Sequence, residues 1–349
     1  MHIHNVNAAY SFYMKQTPIN KSLSNFEFRY GRLNEFNNLI GTNSLKEFVD
    51  FLAPRLDNSK SPILITGETG TGKSLLAKYL VSRLQFYQHP CKIISLSEIP
   101  ESLFESQLFG HKKGAFTGAN GEFIGKIYAA NGGTLILEDI NSLPLHLQSK
   151  ILRVIQEGFF ERIGETESIQ VNLRVIATSN ESLIELVKKN KFRMDLYYRL
   201  RTLEINIPPL RERLEEIEEL CEYFLKKYCG QMNKDIRYIR QDCIKMLKKY
   251  KWYGNIRELE SAIERAIIFC QPGNYYLDTE DFSKEIRDNA HPFSDFIENN
   301  AVIEDVRSIT KEELLKSLSK NNYNKARTAQ DLKISRRTLY NKLIKYDLI

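Results

Sequence analysis

Two short stretches of this sequence carry residue types suited to holding a nucleoside triphosphate. The first runs from Gly67 to Ser74 and fits the pattern G-x-x-x-x-G-K-[ST]. In such a loop backbone N–H groups surround the phosphates, Lys73 reaches the β and γ oxygens, and the Ser74 hydroxyl ligates Mg²⁺. The second stretch ends in two adjacent carboxylates, Glu138 and Asp139. Together they predict a site for ATP and Mg²⁺, with the phosphate-binding residues Gly67, Glu68, Thr69, Gly70, Thr71, Gly72, Lys73 and Ser74.

Apolar runs precede both stretches and would form the strands that position them. Residues 62–66 form a short apolar run with β-branched residues, which is typical of a buried parallel strand, and a helical pattern extends from Ser74 to Leu84. The positive end of that helix would point at the phosphates. Further strand patterns precede Glu138 and Asn180. This order of strand, loop and helix predicts an α/β domain around the nucleotide.

The composition is that of an ordinary globular protein, with 42% hydrophobic and 27% charged residues. The amino terminus lacks the basic start and apolar run of a signal peptide, and no apolar stretch approaches the ~20 residues of a membrane-spanning helix. The five cysteines form no Cys-x-x-Cys pair, which argues against a zinc or redox site. We therefore predict a cytoplasmic protein with no membrane partner.

The net charge of +6 is concentrated at the carboxyl end. Residues 306–349 contain eleven Lys and Arg against four Asp and Glu, a balance of +7, so the preceding residues have a balance of −1. Such an excess predicts a contact with nucleic acid. Apolar positions in this region fit three short helices, and Ser335 is a suitable N-cap for the last of them. A basic, solvated helical bundle is the alternative interpretation.

A third stretch, Gly114–Ala119, lies between the phosphate loop and the acidic pair. Its glycines flank Phe116 and Thr117, which describes a flexible loop that presents one aromatic ring and one hydroxyl; taken alone, it would be a surface turn. With the three stretches in this order, the sequence resembles the AAA+ activators of sigma-54 RNA polymerase, the NtrC-like bacterial enhancer-binding proteins. The resemblance extends from about residue 34 to the end of the chain.

The resemblance implies the fold class and the division of the chain. We expect an AAA+ P-loop NTPase of the α/β class, a parallel sheet sandwiched by helices, with a helical lid and a small all-α helix-turn-helix domain. The residues before the ATPase part form a short arm, which is far smaller than the ~100 residues of a receiver or sensing domain. We therefore expect control by a regulator acting in trans, through the short arm, or through the expression level. The predicted segments are the arm at 1–33, the α/β ATPase subdomain at 34–211, the lid at 212–285, a linker at 286–308 and a Fis-type helix-turn-helix domain at 309–349.

The resemblance also implies roles around the nucleotide. The first acid of the pair, here Glu138, would hold Mg²⁺ together with Ser74, and the second, Asp139, would polarise the attacking water. Asn180 would sense the γ-phosphate, and Arg257 would reach the phosphates from the lid. The remaining cofactor-binding residues would be Ile40 and Gly41, against the adenine, together with Ala130, Asn131, Gly132 and Gly133.

Two arginines implied as catalytic, Arg193 and Arg199, match the arginine fingers of the family. Such a finger acts on the nucleotide of a neighbouring subunit and contributes ~10³–10⁵ in rate, so the chain is expected to form a homo-oligomer, by resemblance a hexamer. The alternative is that these arginines only pair with local acids such as Asp195.

The implied macromolecular partners are sigma-54 with RNA polymerase and double-stranded DNA upstream of the promoter. The sigma-factor contact would be Gly114, Ala115, Phe116, Thr117, Gly118 and Ala119. In the helix after Ser335, Arg336, Arg337, Thr338 and Asn341 are the expected base readers, since the start of such a helix enters the major groove. Lys342 and Lys345 suit phosphates, and Ser335 and Tyr340 complete the DNA-binding set.

The chain departs from the family pattern at the acidic pair, where the usual order is Asp before Glu. Asp139 is one methylene short, roughly an ångström of reach, and a displacement on that scale can cost ~10²-fold in rate. Either the backbone compensates or hydrolysis is slow. Phe123 also replaces a usual Arg, and Tyr128 a usual Glu.

Two other functions remain open beside the ATP-driven activator. A DNA-binding regulator could use ATP for assembly, with weak or no hydrolysis, which the order Glu138-Asp139 favours. An AAA+ remodeller of a different protein is the second, although the intact Gly114–Ala119 loop argues against it.

Overall fold

The computed structural model describes residues 43–56, 59–84, 90–292, 310–321 and 323–332, together with Leu339, Leu343, Tyr346 and Leu348; the side chains of residues 43–48 are left out. The chain divides into two compact units, the first ending at Phe282 and the second beginning at Ser283. None of the helices in these ranges is long and apolar enough to cross a membrane.

A five-stranded parallel sheet with flanking helices forms the α/β part of the first unit. In chain order, the elements of this part are α1 (Asn43–Leu56), β1 (Ile63–Thr66), α2 (Lys73–Arg83), β2 (Cys91–Ser95), α3 (Phe104–Phe109), β3 (Gly110–His111), β4 (Phe123–Ile124), α4 (Lys126–Ala129), β5 (Thr134–Glu138), α5 (Leu145–Glu157), β6 (Phe159–Glu161), β7 (Ser168–Gln170), β8 (Arg174–Ser179), α6 (Leu183–Lys188), α7 (Met194–Leu200) and β9 (Leu203–Asn206). Of these strands, β3 pairs with β4 and β6 pairs with β7 outside the five-stranded sheet. Short 3₁₀ turns lie at Leu96–Glu98, Glu101–Leu103, Ile140–Ser142 and Leu210–Glu212.

The helical lid follows in the same unit. It consists of α8 (Glu216–Met232), β10 (Tyr238–Ile239), α9 (Gln241–Lys249), α10 (Asn255–Phe269), β11 (Tyr276–Leu277) and a 3₁₀ turn at Thr279–Asp281. Trp252, at the junction of α9 and α10, is fully buried, and its indole N–H donates to the carbonyl of Leu247 at 2.7 Å. This bond satisfies the buried indole N–H and attaches the junction to the last turn of α9.

The sheet has the strand order β2-β5-β8-β1-β9, and all neighbours are parallel. Successive side chains of a strand point to opposite faces, and both faces of this sheet are covered. On one face Leu64, Leu137 and Ala177 pack into the cluster that includes α5 and α7, whereas on the other Ile65 and Ile176 pack with α1 and α2. The layers of helix, sheet and helix confirm the predicted sandwich.

The register of the parallel strands fixes where the site must lie. Thr66 of β1 pairs with Ser179 of β8, and Leu137 of β5 pairs with Ala177. The residues that follow these strands, Gly67, Asp139 and Asn180, therefore leave the sheet at one edge. Ligands of open α/β sheets bind outside the carboxyl ends of the strands, which is this edge.

The second unit contains α11 (Lys284–Arg287), α12 (Lys311–Lys320) and α13 (Lys325–Asp331). Thr310 caps α12 reciprocally with Glu313, and Asn324 caps α13. Leu314 and Leu318 of α12 pack against Ala329 of α13 and against Leu339 and Leu343. This small apolar cluster holds together the described part of the carboxyl-terminal domain.

Candidate nucleotide site

The phosphate loop occupies the turn between β1 and α2. Gly70 has φ +79°, and a Cβ at that residue would lie 2.2 Å from the carbonyl oxygen of Gly254, so a glycine is required there. The ammonium of Lys73 is largely buried and donates to the carbonyls of Gly67 and Glu68, each at 2.8 Å. Burial lowers the pKa of Lys73, and the nearby Asp139 carboxylate opposes that shift. The loop therefore brings its cation beside the end of β5.

Asp139 reaches the site through an unusual backbone conformation. Its φ is +55°, in the left-handed region that Asp and Asn tolerate better than other side chains do. The Asp139 N–H donates to Thr178 Oγ1 at 3.1 Å, and Oδ2 accepts from Ser97 Oγ at 2.9 Å. Two side chains from neighbouring elements thus fix the turn and the carboxylate after β5.

Glu138 occupies a different environment, although it is adjacent in sequence. Its side chain is half-buried, and within the described ranges its Oε1 is buried and has no hydrogen-bond partner. Burying a carboxylate oxygen without a donor is costly unless a cation or water satisfies it. Glu138 is therefore the acid of the pair with a buried oxygen that still needs a donor or a cation.

A cavity of about 390 Å³ lies between the phosphate loop and the lid, and Asp139 lines it whereas Glu138 does not. Its α/β wall is made by the phosphate loop, Asp139 and Asn180, and its lid wall by α8 and α10. The lining residues are Thr69, Gly70, Gly72, Lys73, Ser74, Leu75, Asp139, Asn180, Leu220, Tyr223, Phe224, Lys227, Ile256, Arg257 and Glu260. Apolar and aromatic lid residues opposite a phosphate loop suit a nucleotide, which has an apolar base and anionic phosphates.

Asn180 and Arg257 both lie beside the phosphate loop and line the same cavity. The Asn180 amide nitrogen lies 3.5 Å from Thr69 Oγ1, at the long limit of a hydrogen bond. Arg257 is exposed on the first turn of α10 and lines the cavity, close enough for its charge to lower the pKa of Lys73. The two candidate sensors are therefore brought together around the loop.

The two candidate arginine fingers lie away from this cavity. Arg193 pairs with Asp195 through two contacts, Nε to Oδ1 at 3.1 Å and Nη2 to Oδ2 at 2.7 Å. Arg199 makes a long contact, 3.4 Å, to the carbonyl of Ile155. Both guanidinium groups are exposed on or beside α7. Within one chain, local pairing is the observed state of Arg193, and neither arginine reaches the nucleotide site.

Four residues that were predicted to bind the nucleotide lie away from the cavity. Gly132 and Gly133 precede β5, where Gly133 packs on the backbone of Pro90 and Gly132 donates to the carbonyl of Asn172. Ala130 is fully buried in the core, and Asn131 accepts from the N–H of Asn172. Strand β5, about 16 Å long, carries the chain from Gly133 to Glu138, the first acid of the pair. The structure therefore corrects the assignment of Ala130, Asn131, Gly132 and Gly133 to the nucleotide pocket.

The Gly114–Ala119 loop forms a separate, exposed turn. The N–H of Gly114 donates to the carbonyl of Ala119 at 2.9 Å, and the Phe116 side chain is 42% exposed. The Phe116 ring meets the His111 ring edge-on with centroids 4.9 Å apart, and Phe123 stacks on the other side of His111 at 5.8 Å. Phe123, which replaces a usual Arg, thus contributes to a platform of rings beneath Phe116.

Several predicted residues lie outside the described part of the chain. These are Ile40, Gly41, Ser335, Arg336, Arg337, Thr338, Tyr340, Asn341, Lys342 and Lys345. Their assignments stay predictions, as do the domain boundaries and the arm at 1–33.

Sequence reasoning missed Ser97, Arg211 and Asn255, which hold Asp139 and the phosphate loop. Arg211 could have been noticed from its place in the Pro-Pro-Leu-Arg-Glu-Arg run that leads into the lid. Ser97 gave no signal, because its partner lies 42 residues further along the chain.

Three family models match consecutive parts of the chain. The sigma-54 interaction domain matches residues 39–206, the AAA+ ATPase lid domain matches 211–296, and the Fis family of bacterial regulatory proteins matches 306–346. Their order agrees with the order of domains expected from the sequence.

Two bacterial regulatory proteins are similar in sequence over most of this chain. The transcriptional regulatory protein FlbD of Caulobacter vibrioides is 37% identical over 84% of this chain and 67% of its own length. The regulatory protein AtoC of Escherichia coli K12 is 39% identical over 83% of this chain and 63% of its own length. The chain thus spans about two thirds of these relatives.

Solved structures of NtrX from Brucella abortus have the same fold. The complex with ATP is 27% identical, with a TM-score of 0.65, over 88% of this chain and 69% of that one. The complex with ADP gives a TM-score of 0.66 at the same identity, over 90% of this chain and 71% of that one.

Proposed function

Because the chain belongs to the family of sigma-54-dependent AAA+ transcription activators, we propose that it hydrolyses ATP to remodel the closed complex of sigma-54 RNA polymerase. The observation that carries this proposal is the cavity where Lys73, Asp139, Asn180 and Arg257 meet. A cation, a carboxylate, an amide and a second cation around one phosphate loop are the groups that phosphoryl transfer requires.

The donor set fits Mg²⁺ in its usual protein environment. Mg²⁺ prefers oxygen ligands and keeps several waters, binding through one or two protein groups together with substrate phosphates. The described residues contain no cluster of three or more His, Cys, Asp or Glu that could hold a metal alone, which agrees with such a shared site. Ser74 and the unpartnered Oε1 of Glu138 would hold the ion, which neutralises charge on the phosphates when bound.

Asp139 would orient the attacking water in spite of its short side chain. Its left-handed backbone and the hydrogen bond from Ser97 place the carboxylate on the cavity wall beside Lys73. We propose that this backbone conformation offsets part of the missing methylene, which a measured hydrolysis rate would test. The acid order still supports a second candidate, a DNA-binding regulator that binds ATP for assembly and hydrolyses it weakly.

Completion of the site would require a second copy of the chain. Arg193 and Arg199 are exposed and lie off their own cavity, and Met194 and Tyr198 beside them are exposed by 61% and 64%. Charged residues next to exposed apolar ones suit a contact between subunits. In a ring, by family a hexamer, these arginines would reach the γ-phosphate of the neighbouring subunit and stabilise the charge that develops there.

Force would reach sigma-54 through the Gly114–Ala119 loop, and DNA would be bound by the carboxyl-terminal domain. Phe116 is exposed at the loop tip, away from the nucleotide cavity, so both can be occupied together. We propose that the protein meets these partners in the bacterial cytoplasm, under the control of a regulator acting in trans.

Open-complex formation on a sigma-54 promoter tests the proposal. We expect the purified protein to open promoter DNA with sigma-54 RNA polymerase and ATP. Lys73→Ala should abolish both ATP turnover and opening, whereas Thr117→Ala should abolish opening and leave turnover in place. ATP turnover without opening by the unmodified protein would instead support a remodeller of a different target.

A further inference from the structure

The carboxylate of Glu68, inside the phosphate loop, is held by residues that lead into the lid. Arg211 binds it through two parallel contacts, Nη2 to Oε1 at 2.6 Å and Nη1 to Oε2 at 2.8 Å. The Asn255 amide donates to Glu68 Oε2 at 3.1 Å and to the Thr69 carbonyl at 2.9 Å. Arg211 holds the pKa of Glu68 below its usual range, so the carboxylate is ionised. Two-point pairing of this kind fixes orientation as well as distance.

Asn255 connects this carboxylate to the first turn of α10. It is fully buried, has φ +55°, and its Oδ1 accepts from the N–H of Leu210 at 2.7 Å. The next residue, Ile256, donates its N–H to the carbonyl of Gly70 at 3.0 Å. The start of α10 is therefore attached to the phosphate loop at several points, and Arg257 is the residue that follows.

The ion pair between Arg211 and Glu68 is too exposed to serve mainly for folding stability. The side chains of Arg211 and Glu68 are 34% and 43% exposed, and pairs in such surroundings contribute little to folding. The geometry of the pair, in contrast, links three parts of the site whose positions must change together during a nucleotide cycle. These are the phosphate loop, the segment that enters the lid, and the helix that carries Arg257.

We propose that Glu68 is a positioning residue, which acts through Arg211 and Asn255 to hold Arg257 over the nucleotide phosphates and to couple the phosphate loop to the lid. This inference rests on the proposed ATPase site. It adds a route by which nucleotide binding at that site changes the position of the lid. When the bound phosphates change, the phosphate loop moves together with Glu68. Glu68 then moves the start of α10 through its contact with Asn255.

Equilibrium binding of nucleotide tests the coupling without requiring hydrolysis. The dissociation constants of ADP and of a non-hydrolysable ATP analogue are measured for the unmodified protein, Glu68→Gln, Arg257→Ala and the double variant. Arg211→Gln removes the other partner of the same ion pair and replaces Glu68→Gln in the test if that variant fails to fold. Glu204→Gln is the matched control, since Arg201 and Glu204 form a pair at 2.6 Å.

The single variants should each weaken binding of the triphosphate analogue about 5- to 10-fold, with a smaller effect on ADP, a size usual for coupled sites. If Glu68 acts through Arg257, the double variant loses little more than Arg257→Ala alone. Arg211→Gln should behave as Glu68→Gln, and Glu204→Gln as the unmodified protein.

Three results would overturn the coupling. The losses of affinity in Glu68→Gln and Arg257→Ala could multiply in the double variant, or Glu68→Gln and Arg211→Gln could bind the analogue as tightly as the unmodified protein. The third is an equal loss of affinity for ADP and for the triphosphate analogue. Failure of the unmodified protein to bind the triphosphate analogue is a distinct result. It would contradict the proposed function, and the coupling would fall with it.

Discussion

Ser97 Oγ donates a hydrogen bond to Asp139 Oδ2 at 2.9 Å, and so ties the turn after β2 to the acid that follows β5. The parallel pairing of β2 with β5, which places Ser95 opposite Glu138, brings the two turns together. Through this bond, the short side chain of Asp139 is held in one orientation on the cavity wall.

Removing this hydroxyl should slow hydrolysis. A hydrogen bond to a charged group contributes about 1.5–3 kcal/mol, and its loss leaves the carboxylate free to turn away from the water. We expect Ser97→Ala to lower kcat about tenfold and to change the affinity for ATP by less than about twofold. Steady-state kinetics measure both. Ser102→Ala, at an exposed hydroxyl in the nearby 3₁₀ turn, is the control. An unchanged kcat would mean that Ser97 does not orient the acid.

Stability should fall with rising pH because of Glu216. Burial raises the pKa of Glu216 from 4.5 to about 8, and the neighbouring Arg213 opposes the shift only in part. The folded protein therefore keeps a proton that the unfolded chain releases, so the contribution of Glu216 to stability is full below pH ~4.5 and is lost as the pH rises to about 8.

Urea unfolding at pH 5.5, 7 and 8.5 measures this dependence. Glu216→Gln should remove most of a slope that is on the order of a few kcal/mol across the window. Glu215→Gln, at the exposed neighbouring acid, should retain it. Equal slopes in all three proteins would show that Glu216 titrates normally.

The rings beneath Phe116 should determine how readily the loop is released. Aromatic pairs contribute about 0.5–1.5 kcal/mol, so loss of one ring changes the population of a released loop several-fold. We expect Phe123→Ala to raise the rate of chymotryptic cleavage after Phe116 about three- to tenfold, with ATP turnover unchanged. Ile124→Ala, at an exposed neighbour, controls for a general effect on the hairpin. Cleavage at the original rate in Phe123→Ala would contradict the packing role.

A side chain at Gly70 should separate the lid from the phosphate loop. The added Cβ would meet the Gly254 carbonyl at 2.2 Å in a backbone conformation that L-residues rarely adopt. Gly70→Ala should weaken ATP binding at least about tenfold, measured by titration with a fluorescent analogue. Gly230→Ala is the matched control, because Gly230 lies in α8 with no atom within 4 Å of its Cβ. That change should stabilise the protein by about 0.5–1 kcal/mol. Unchanged affinity in Gly70→Ala would mean that this close approach is not required.

Local patterns were sufficient to predict much of this fold. The apolar run before Gly67 forms β1, the helical pattern from Ser74 to Leu84 corresponds to α2 at Lys73–Arg83, and the polar residues after β5 and β8 meet at one edge of the sheet. These features follow from strand and helix periodicity, which is local.

Contacts between distant segments, and the backbone at special residues, could not be predicted in this way. The positive φ of Asp139 and the bond from Ser97 depend on how β2, β5 and β8 pack together. The error at Gly132 and Gly133 has the same origin. The resemblance implied a place beside the nucleotide for these glycines, whereas an extended strand carries the chain from them across the sheet to Glu138.

The most direct test of the account is ATP turnover per subunit, measured against protein concentration. The protein is compared with the variant that carries both E138D and D139E, which restores the usual acid order, and with Lys73→Ala as the blank. We predict that the unmodified protein hydrolyses ATP and that its rate per subunit rises as subunits assemble, because the arginines come from a neighbour. Binding of ATP with almost no turnover, together with rapid turnover by the double variant, would contradict the account and favour the regulator that uses ATP only for assembly.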